Sequence, residues 1–166
     1  MGRLTKRVLV AGAGVAGSSL AYWLARYGYA VTVIERASGP PPCSDQAASD
    51  VLAHLGLPSP DGDIAVALYE RNRDSVRYVF GDSIASLTDA GDAVVVTFEH
   101  GPPAVFDLVV GADGPHSVVR RLAFPPRCEW GSGLALYLRG RAICGQGFDR
   151  LVHAASLGHA AAERTA

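Results

Sequence analysis

Continuous apolar runs and one helical repeat form the pattern at the start of the chain. Residues 8–11 and 30–35 are almost wholly apolar, which predicts strands buried on both faces of a parallel sheet. Residues 18–27 repeat apolar side chains at helical spacing, and Gly28 has the position of a C-terminal helix cap. The side chains expected on one face of this helix are Leu20, Trp23, Leu24 and Tyr27. The order strand, helix, strand predicts a βαβ unit.

Shorter strand-like runs follow in the middle of the chain. Residues 83–88 and 93–98 flank the turn sequence Asp-Ala-Gly-Asp and predict a hairpin, and "FGDSIA" predicts a turn into its first strand. Residues 106–110 predict one further strand. It ends in Gly-Ala-Asp-Gly-Pro before a helix, with Pro115 suited to the first helical position. Beyond residue 124 the pattern predicts a strand over 134–138 and a helical tail.

Composition favours a globular domain. The 166 residues are 49% hydrophobic with a formal net charge of −1, which argues against a disordered chain and against nucleic-acid binding. Lys6 is the only lysine, so the phosphate-binding lysine of a P-loop and the Tyr-x-x-x-Lys pair of short-chain dehydrogenases are excluded. Three cysteines and five histidines have no zinc-binding spacing, and no metal site is expected.

The N-terminal stretch, a basic start followed by apolar residues, has the outline of a signal sequence. Glycines interrupt the apolar run, and Arg26 closes it before the length of a membrane span. We therefore expect a cytoplasmic protein without a membrane segment.

The link between the first predicted strand and helix carries the clearest chemical signal. Gly12, Gly14 and Gly17 have the G-x-G-x-x-G spacing. The first permits a tight turn, the second lets the backbone approach a pyrophosphate, and the third permits close helix–strand packing. Unpaired N–H groups and a partial positive charge at the helix start favour phosphates.

An acidic residue completes this pattern. Glu35 ends the second strand, close to the ~20-residue interval at which an acid accepts hydrogen bonds from ribose hydroxyls. A 2′-phosphate would be repelled there, so the pattern predicts binding of FAD or NAD rather than NADP. Arg36 is a further cofactor-binding candidate. The alternative is a tight strand–helix turn without a ligand.

A second candidate group follows the predicted strand 106–110. Asp113 can accept hydrogen bonds from ligand hydroxyls, and Gly114 gives access to the backbone. Arg120 and Arg121 are expected in the early turns of a helix, where the helix dipole disfavours cations. A nearby phosphate or carboxylate would offset this unfavourable interaction. The alternative is a surface helix with solvated arginines.

Two segments together resemble a known family. "VLVAGAGVAGSSLAYWLARYGYAVTVIERA" resembles the ADP-binding βαβ opening of the class A flavoprotein monooxygenases, the aromatic hydroxylases of the p-hydroxybenzoate hydroxylase type, and "DLVVGADGPHSVVRRLAF" resembles their Asp-Gly motif. The resemblance implies an α/β, Rossmann-like FAD/NAD(P)-binding fold with an inserted β-hairpin or meander. We expect an FAD-binding domain over 1–124 and an unassigned segment over 125–166.

The resemblance also implies roles and an activity. The FAD pyrophosphate would bind at Gly12, Gly14 and Gly17, and its adenosine ribose at Glu35. Asp113, Gly114 and Arg120 would line the side of FAD and NAD(P)H. In the family reaction NAD(P)H reduces FAD and one oxygen atom of O2 is transferred to a small organic, aromatic substrate.

The chain departs from the family in ways that leave its activity open. Members are usually more than twice as long, and the Gly-Asp motif that binds the ribityl chain does not follow the Asp-Gly motif here. "CGQGFDR" resembles only the tail of that motif. One interpretation is an oxidoreductase, with or without a protein partner that completes the fold. The other is a non-catalytic, dinucleotide-binding remnant. The sequence predicts no catalytic residue, substrate identity or oligomeric state.

Overall fold

The structure, a computed structural model, describes residues 5–42, 63–114, 116–123, 135–138 and 141–144. Its helices are α1 (Val15–Arg26), α2 (Ile64–Asn72) and α3 (Val118–Ala123). Its strands are β1 (Arg7–Ala11), β2 (Ala30–Glu35), β3 (Arg77–Phe80), β4 (Ile84–Asp89), β5 (Val94–Phe98), β6 (Ala104–Phe106), β7 (Leu108–Gly111), β8 (Ala135–Leu138) and β9 (Arg141–Cys144).

The larger of the two described sheets has six strands in the order β3-β2-β1-β7-β8-β9. β1 pairs in parallel with β2 and β7, β2 pairs in parallel with β3, and β8 and β9 add antiparallel strands. In the centre, Val10 of β1 lies opposite Val33 on one side and Val110 on the other. The carboxyl ends of β1, β2, β3 and β7 therefore meet at one edge of the sheet, where α/β proteins bind ligands.

Different layers cover the two faces of this sheet. On one face, apolar side chains of β1 and β2 pack against Ala21 of α1, and α2 packs on α1. On the other face lies the antiparallel sheet β4-β5-β6. The buried side chains between the two sheets include Leu9, Ile34, Val94, Val96 and Val109, with Val119 of α3. The α/β fold class with a parallel sheet and an inserted β-meander is confirmed.

Most predicted elements are confirmed. The βαβ unit is formed by β1, α1 and β2, the hairpin by β4 and β5, and the strand predicted over 134–138 by β8. Gly28 caps α1 with a φ of 83°, and its N–H donates to the carbonyl of Ala25 at 3.0 Å. Gly81, with a φ of 73°, makes the predicted turn into β4.

The predicted apolar face of α1 is only half right. Leu20 and Leu24 pack against the core, but Trp23 is 41% and Tyr27 74% exposed, and their rings stack with centroids 6.3 Å apart. The helix also begins earlier than predicted, at Val15. Its buried positions are small residues, Gly17, Ser18 and Ala21, because the helix lies close to the sheet and large side chains are excluded from that contact.

The single strand predicted over 106–110 is wrong. The run divides at Asp107 into β6 of the small sheet and β7 of the large one. The Asp107 carboxylate accepts from the Arg7 N–H at 2.7 Å, and its own N–H donates to the Arg7 carbonyl at 2.9 Å. These two hydrogen bonds attach the crossing point to the start of β1.

The dipole argument for Arg120 and Arg121 is weakened as well. The described α3 spans six residues, Val118–Ala123, so both arginines lie in its last described turn as well as close to its start. Cations are favoured at the carboxyl end of a helix, so the dipole alone gives no reason to expect a phosphate.

The helix α2 was not predicted, although its apolar residues have helical spacing. Its first residues are capped by Asp63, which accepts from the N–H groups of Ala65 at 2.8 Å and Val66 at 3.4 Å. Pro115, the "CGQGFDR" segment after its first residue, Cys144, and the predicted helical tail lie outside the described residues. None of the helices that the structure describes has the length and apolar character to cross a membrane.

Candidate dinucleotide-binding site

A cleft of about 310 Å³ lies at the carboxyl edge of the parallel strands. Its walls come from the segments that follow β1, β2, β3 and β7, which meet there because these strands are parallel. The residues lining it are Ala11, Gly12, Gly14, Ile34, Glu35, Arg36, Pro41, Asp82, Ser83, Ile84, Ala112, Asp113, Gly114, His116 and Val118. The two groups of candidate residues thus meet across one cleft.

The three glycines of the turn differ in what an added methyl group would meet. At Gly12, where φ is 103°, it would collide with the backbone carbonyl of Ala112, and at Gly17 with the carbonyl of Gly12. At Gly14 the nearest atom would be Cγ of Pro41 at 4.0 Å, and the φ of −68° suits any residue. The fold therefore requires glycine at positions 12 and 17, whereas at Gly14 the protein has room for a side chain.

The start of α1 is open to the cleft. Gly14 is its N-cap residue, makes no side-chain capping hydrogen bond, and no acidic residue occupies the first turn. The other two described helices have carboxylate caps, Asp63 on α2 and Asp113 on α3. The first N–H groups of a helix attract anions when nothing else pairs with them. The N-terminus of α1 is therefore suited to a phosphate group.

Glu35 joins the end of β2 to the glycine turn. One carboxylate oxygen accepts from the Ala13 N–H and the other from the Ala37 N–H, both at 2.9 Å. A carboxylate offers about four acceptor positions, so each oxygen can accept another hydrogen bond from the cleft. The residue combines a structural role with capacity for a ligand hydroxyl.

Asp113 has one carboxylate oxygen that caps a helix and one that has no partner within the described part of the chain. Its Oδ2 caps α3 by accepting from Val118 N–H at 2.6 Å and Val119 N–H at 3.4 Å. Its Oδ1 is buried and finds no hydrogen-bond donor among the residues described. A buried acceptor without a partner is costly. At the wall of a cleft, such an atom indicates a donor supplied by a ligand or by water.

Asp82 forms part of the cleft wall, and both oxygens of its carboxylate accept hydrogen bonds from the protein. It accepts from the N–H groups of Ser83, His100 and Gly101 at 2.8, 3.0 and 2.9 Å. Burial alone would raise its pKa, but these three donors, helped by the nearby His100, outweigh burial and hold the pKa below its usual range. Asp82 is therefore a structural carboxylate.

The cleft contains six of the eight predicted cofactor-binding residues. Those lining it are Gly12, Gly14, Glu35, Arg36, Asp113 and Gly114. Gly17 lies behind the turn as a packing residue, and Arg120 is not among the lining residues. Sequence reasoning missed Pro41, Ser83 and His116 as wall residues. For His116 the proximity to the Asp-Gly motif was an available signal.

Comparison with known proteins decides the family. Residues 7–84, which include the glycine turn and Glu35, match the family model of the FAD dependent oxidoreductases. This segment belongs to the FAD-dependent oxidoreductase family. The family resemblance drawn from the sequence is confirmed, and several of the relatives that match the chain are named flavin-dependent monooxygenases.

Three relatives define the extent of the likeness. A flavin-dependent monooxygenase from an unknown prokaryotic organism is 30% identical over 72% of this chain and 43% of its own length. An uncharacterized protein of Mycobacterium tuberculosis (strain H37Rv) is 39% identical over 73% of this chain and 45% of its own. A tetracycline destructase of known crystal structure is 27% identical, with a TM-score of 0.61 over 76% of this chain and 43% of its own. The chain spans less than half the length of these relatives.

Proposed function

We propose that the cleft binds the adenosine diphosphate half of FAD, and that the chain is the nucleotide-binding part of a flavin-dependent monooxygenase. The observation that carries this proposal is the N-terminus of α1. It has no side-chain cap, it borders the cleft, and its N-cap Gly14 leaves room that the protein does not use.

The residues present fit the pyrophosphate and the adenosine ribose of FAD. The pyrophosphate would lie at the turn of Gly12 and Gly14, supported from behind by Gly17. The adenosine ribose would donate to the unused acceptor positions of Glu35, with Arg36 beside it. The free Oδ1 of Asp113 and the backbone at Gly114 would face the flavin side. A contribution of Arg120 stays a prediction.

The remaining parts of the activity are proposals drawn from the relatives. FAD would supply the redox chemistry by accepting electrons from NAD(P)H and reacting with O2, and the substrate would be a small aromatic molecule. We further propose a cytoplasmic location and an FAD-binding unit within residues 1–124. The alternative is a non-catalytic FAD-binding remnant.

Titration with FAD tests the proposed function directly. Flavin fluorescence is expected to change when FAD binds to the purified chain. Gly14→Ala should weaken binding by roughly tenfold or more, because the methyl group occupies the space of a phosphate oxygen. Its circular dichroism spectrum should stay unchanged, since the methyl group meets no protein atom closer than 4.0 Å.

Gly39→Ala is the matched control. A methyl group there also meets nothing within 4 Å, but Gly39 does not line the cleft, so FAD should bind as to the wild type. Failure of the wild-type chain to bind FAD would overturn the proposal. Equal FAD affinity of the folded Gly14→Ala variant would remove Gly14 from the site.

A further inference from the structure

A chain of hydrogen bonds runs from α2 through β3 and α1 to the glycine turn. The amide of Asn72 donates to the Tyr78 hydroxyl at 3.1 Å, and this hydroxyl donates to Oγ of Ser18 at 3.3 Å. Ser18 Oγ donates in turn to the carbonyl of Ala13 at 3.1 Å. Side chains from α2, β3 and α1 are thus linked in series to the carbonyl of Ala13, between Gly12 and Gly14.

Ala13 is fixed from both sides. Its carbonyl accepts from Ser18, and its N–H donates to Glu35 at 2.9 Å. Since Ala13 lies between the two glycines that line the cleft, the orientation of its peptide groups sets the direction of the backbone N–H groups in the turn. The residues that hold Ala13 therefore control the geometry presented to the cleft.

The hydrogen-bonded chain is shielded from water and held by packing. Ser18 and Asn72 are fully buried, and Asn72 also donates to the Ser18 backbone carbonyl at 2.8 Å. The Tyr78 ring packs between Tyr69 and Phe80, with centroid distances of 4.9 and 5.7 Å. Burial raises the pKa of the Tyr78 hydroxyl, against the opposing effect of its hydrogen bonds with Ser18 and Asn72, so it stays protonated and able to donate.

We propose that Ser18, Tyr78 and Asn72 are positioning residues that fix the conformation of the Gly12–Gly14 turn for its ligand. They act through Ala13 and do not line the cleft. The role in ligand binding rests on the proposed function, whereas the effect on the turn itself does not. The two parts can therefore be measured separately.

The experiment compares Ser18→Ala and Tyr78→Phe in the full chain by two measurements. Amide hydrogen exchange by NMR should rise roughly 3- to 10-fold at Gly12, Ala13 and Gly14, the scale of one lost hydrogen bond. The Kd for ADP and for FAD, measured by calorimetry well below the Tm, should rise by a similar factor. Ser18→Ala should have the larger effect, because it removes the donor to Ala13 itself.

Tyr69→Phe is the control, since it removes a tyrosine hydroxyl from the same aromatic cluster but not from the hydrogen-bonded chain. Tyr78→Phe keeps the packed ring, so a folded variant is available even if Ser18→Ala fails to fold. If Ser18 and Tyr78 only stabilised the fold, amide exchange in the variants would rise as much at Val10 and Val33 in the central strands as in the turn. That result, or unchanged exchange in the turn, would overturn the proposal. Faster exchange in the turn of a chain that binds neither ADP nor FAD would uphold the positioning role and sink the proposed function.

Discussion

Glu35 illustrates how one side chain can serve the fold and a ligand together. Its two oxygens hold the N–H groups of Ala13 and Ala37, which ties β2 to the glycine turn. Each oxygen keeps acceptor capacity toward the cleft. If substitution of Glu35 weakens nucleotide binding, the cause could be a lost contact with the ribose or a displaced glycine turn. The two causes are separated by changing the ligand as well as the residue.

Comparison of ADP with 2′-deoxy-ADP, which lacks one ribose hydroxyl, separates the two effects. The wild type should bind ADP roughly tenfold more tightly than 2′-deoxy-ADP, the scale of a hydrogen bond to a charged group. In Glu35→Gln this preference should shrink several-fold, whatever happens to overall affinity. Calorimetric titration with both nucleotides measures the coupling between residue and hydroxyl.

Glu99→Gln, which changes an exposed carboxylate outside the cleft, should keep the full preference for ADP. Equal discrimination between the two nucleotides in wild type and Glu35→Gln would show that Glu35 does not contact this ribose hydroxyl.

At the scale of residues, the sequence predicts positions where the backbone geometry requires a particular residue. It does not predict hydrogen bonds between side chains that are far apart in the chain. Glycine spacing encodes turn geometry directly, so Gly12, Gly14 and the acid at the end of β2 were accessible from the letters alone. The hydrogen bonds of Ser18 were not, since Asn72 and Tyr78 are 54 and 60 residues away in the chain. Only the packing of α2 on α1 and of β3 on β2 brings them together.

At the scale of elements, Asp82 joins the end of β3 to the loop after β5. Its three backbone donors come from Ser83, His100 and Gly101, so one carboxylate connects the large sheet to the small one. An added Cβ at Gly101 would lie 2.9 Å from Asp82 Oδ2, which shows how closely the loop approaches. This connection also positions the cleft wall at Ser83 and Ile84.

Asp82→Asn should lower the free energy of unfolding by about 1–3 kcal/mol, because an amide NH2 would face backbone N–H donors. The folded state depresses the Asp82 pKa, so its stabilisation is complete above the unfolded pKa and is lost as the pH falls through the folded one. The Tm difference between wild type and variant should be steady near neutral pH and shrink below about pH 4.

Thermal unfolding followed by circular dichroism across this pH range provides the measurement. Asp89→Asn is the control: its exposed carboxylate accepts one hairpin-turn N–H, from Gly91 at 2.8 Å, and should cost less stability. A Tm difference for Asp82→Asn that grows on acidification would contradict the assigned role.

Elements were predictable where the hydrophobic pattern has one structural solution. The continuous apolar runs of β1 and β2 fit only a buried strand, and Gly28 fits only a helix end. The run 106–110 has two solutions, one strand or two, and the choice depends on the contacts of Asp107 with Arg7. The face of α1 was misjudged because close packing on the sheet favours Gly17 and Ala21 over the larger Trp23.

At the scale of the whole molecule, the parallel strands gather both candidate groups at one sheet edge. The glycine turn follows β1, Glu35 ends the neighbouring strand β2, and Asp113 follows β7, the neighbour on the other side. Topology thus explains why two motifs about a hundred residues apart form a single cleft, as expected for this class of fold. The described cleft is built from residues suited to the nucleotide half of a cofactor.

The last prediction concerns catalysis by the 166-residue chain alone. Coupled hydroxylation needs the reacting ring and the substrate together in a pocket that excludes water. The chain spans 43% of the monooxygenase relative, and its described cleft is the one proposed to bind the nucleotide half of FAD. With FAD and NADH or NADPH we therefore expect slow reductant oxidation that ends in released H2O2, without hydroxylated product.

Oxygen consumption measures the oxidation, and a peroxidase-coupled assay measures the H2O2 released. Mass spectrometry after incubation with a panel of phenols and tetracycline measures any hydroxylated product. Free FAD without the chain, and the Gly14→Ala variant, set the background rates. Hydroxylated product in stoichiometric yield with NAD(P)H would contradict the prediction and would mean that this length of the fold suffices for the complete reaction.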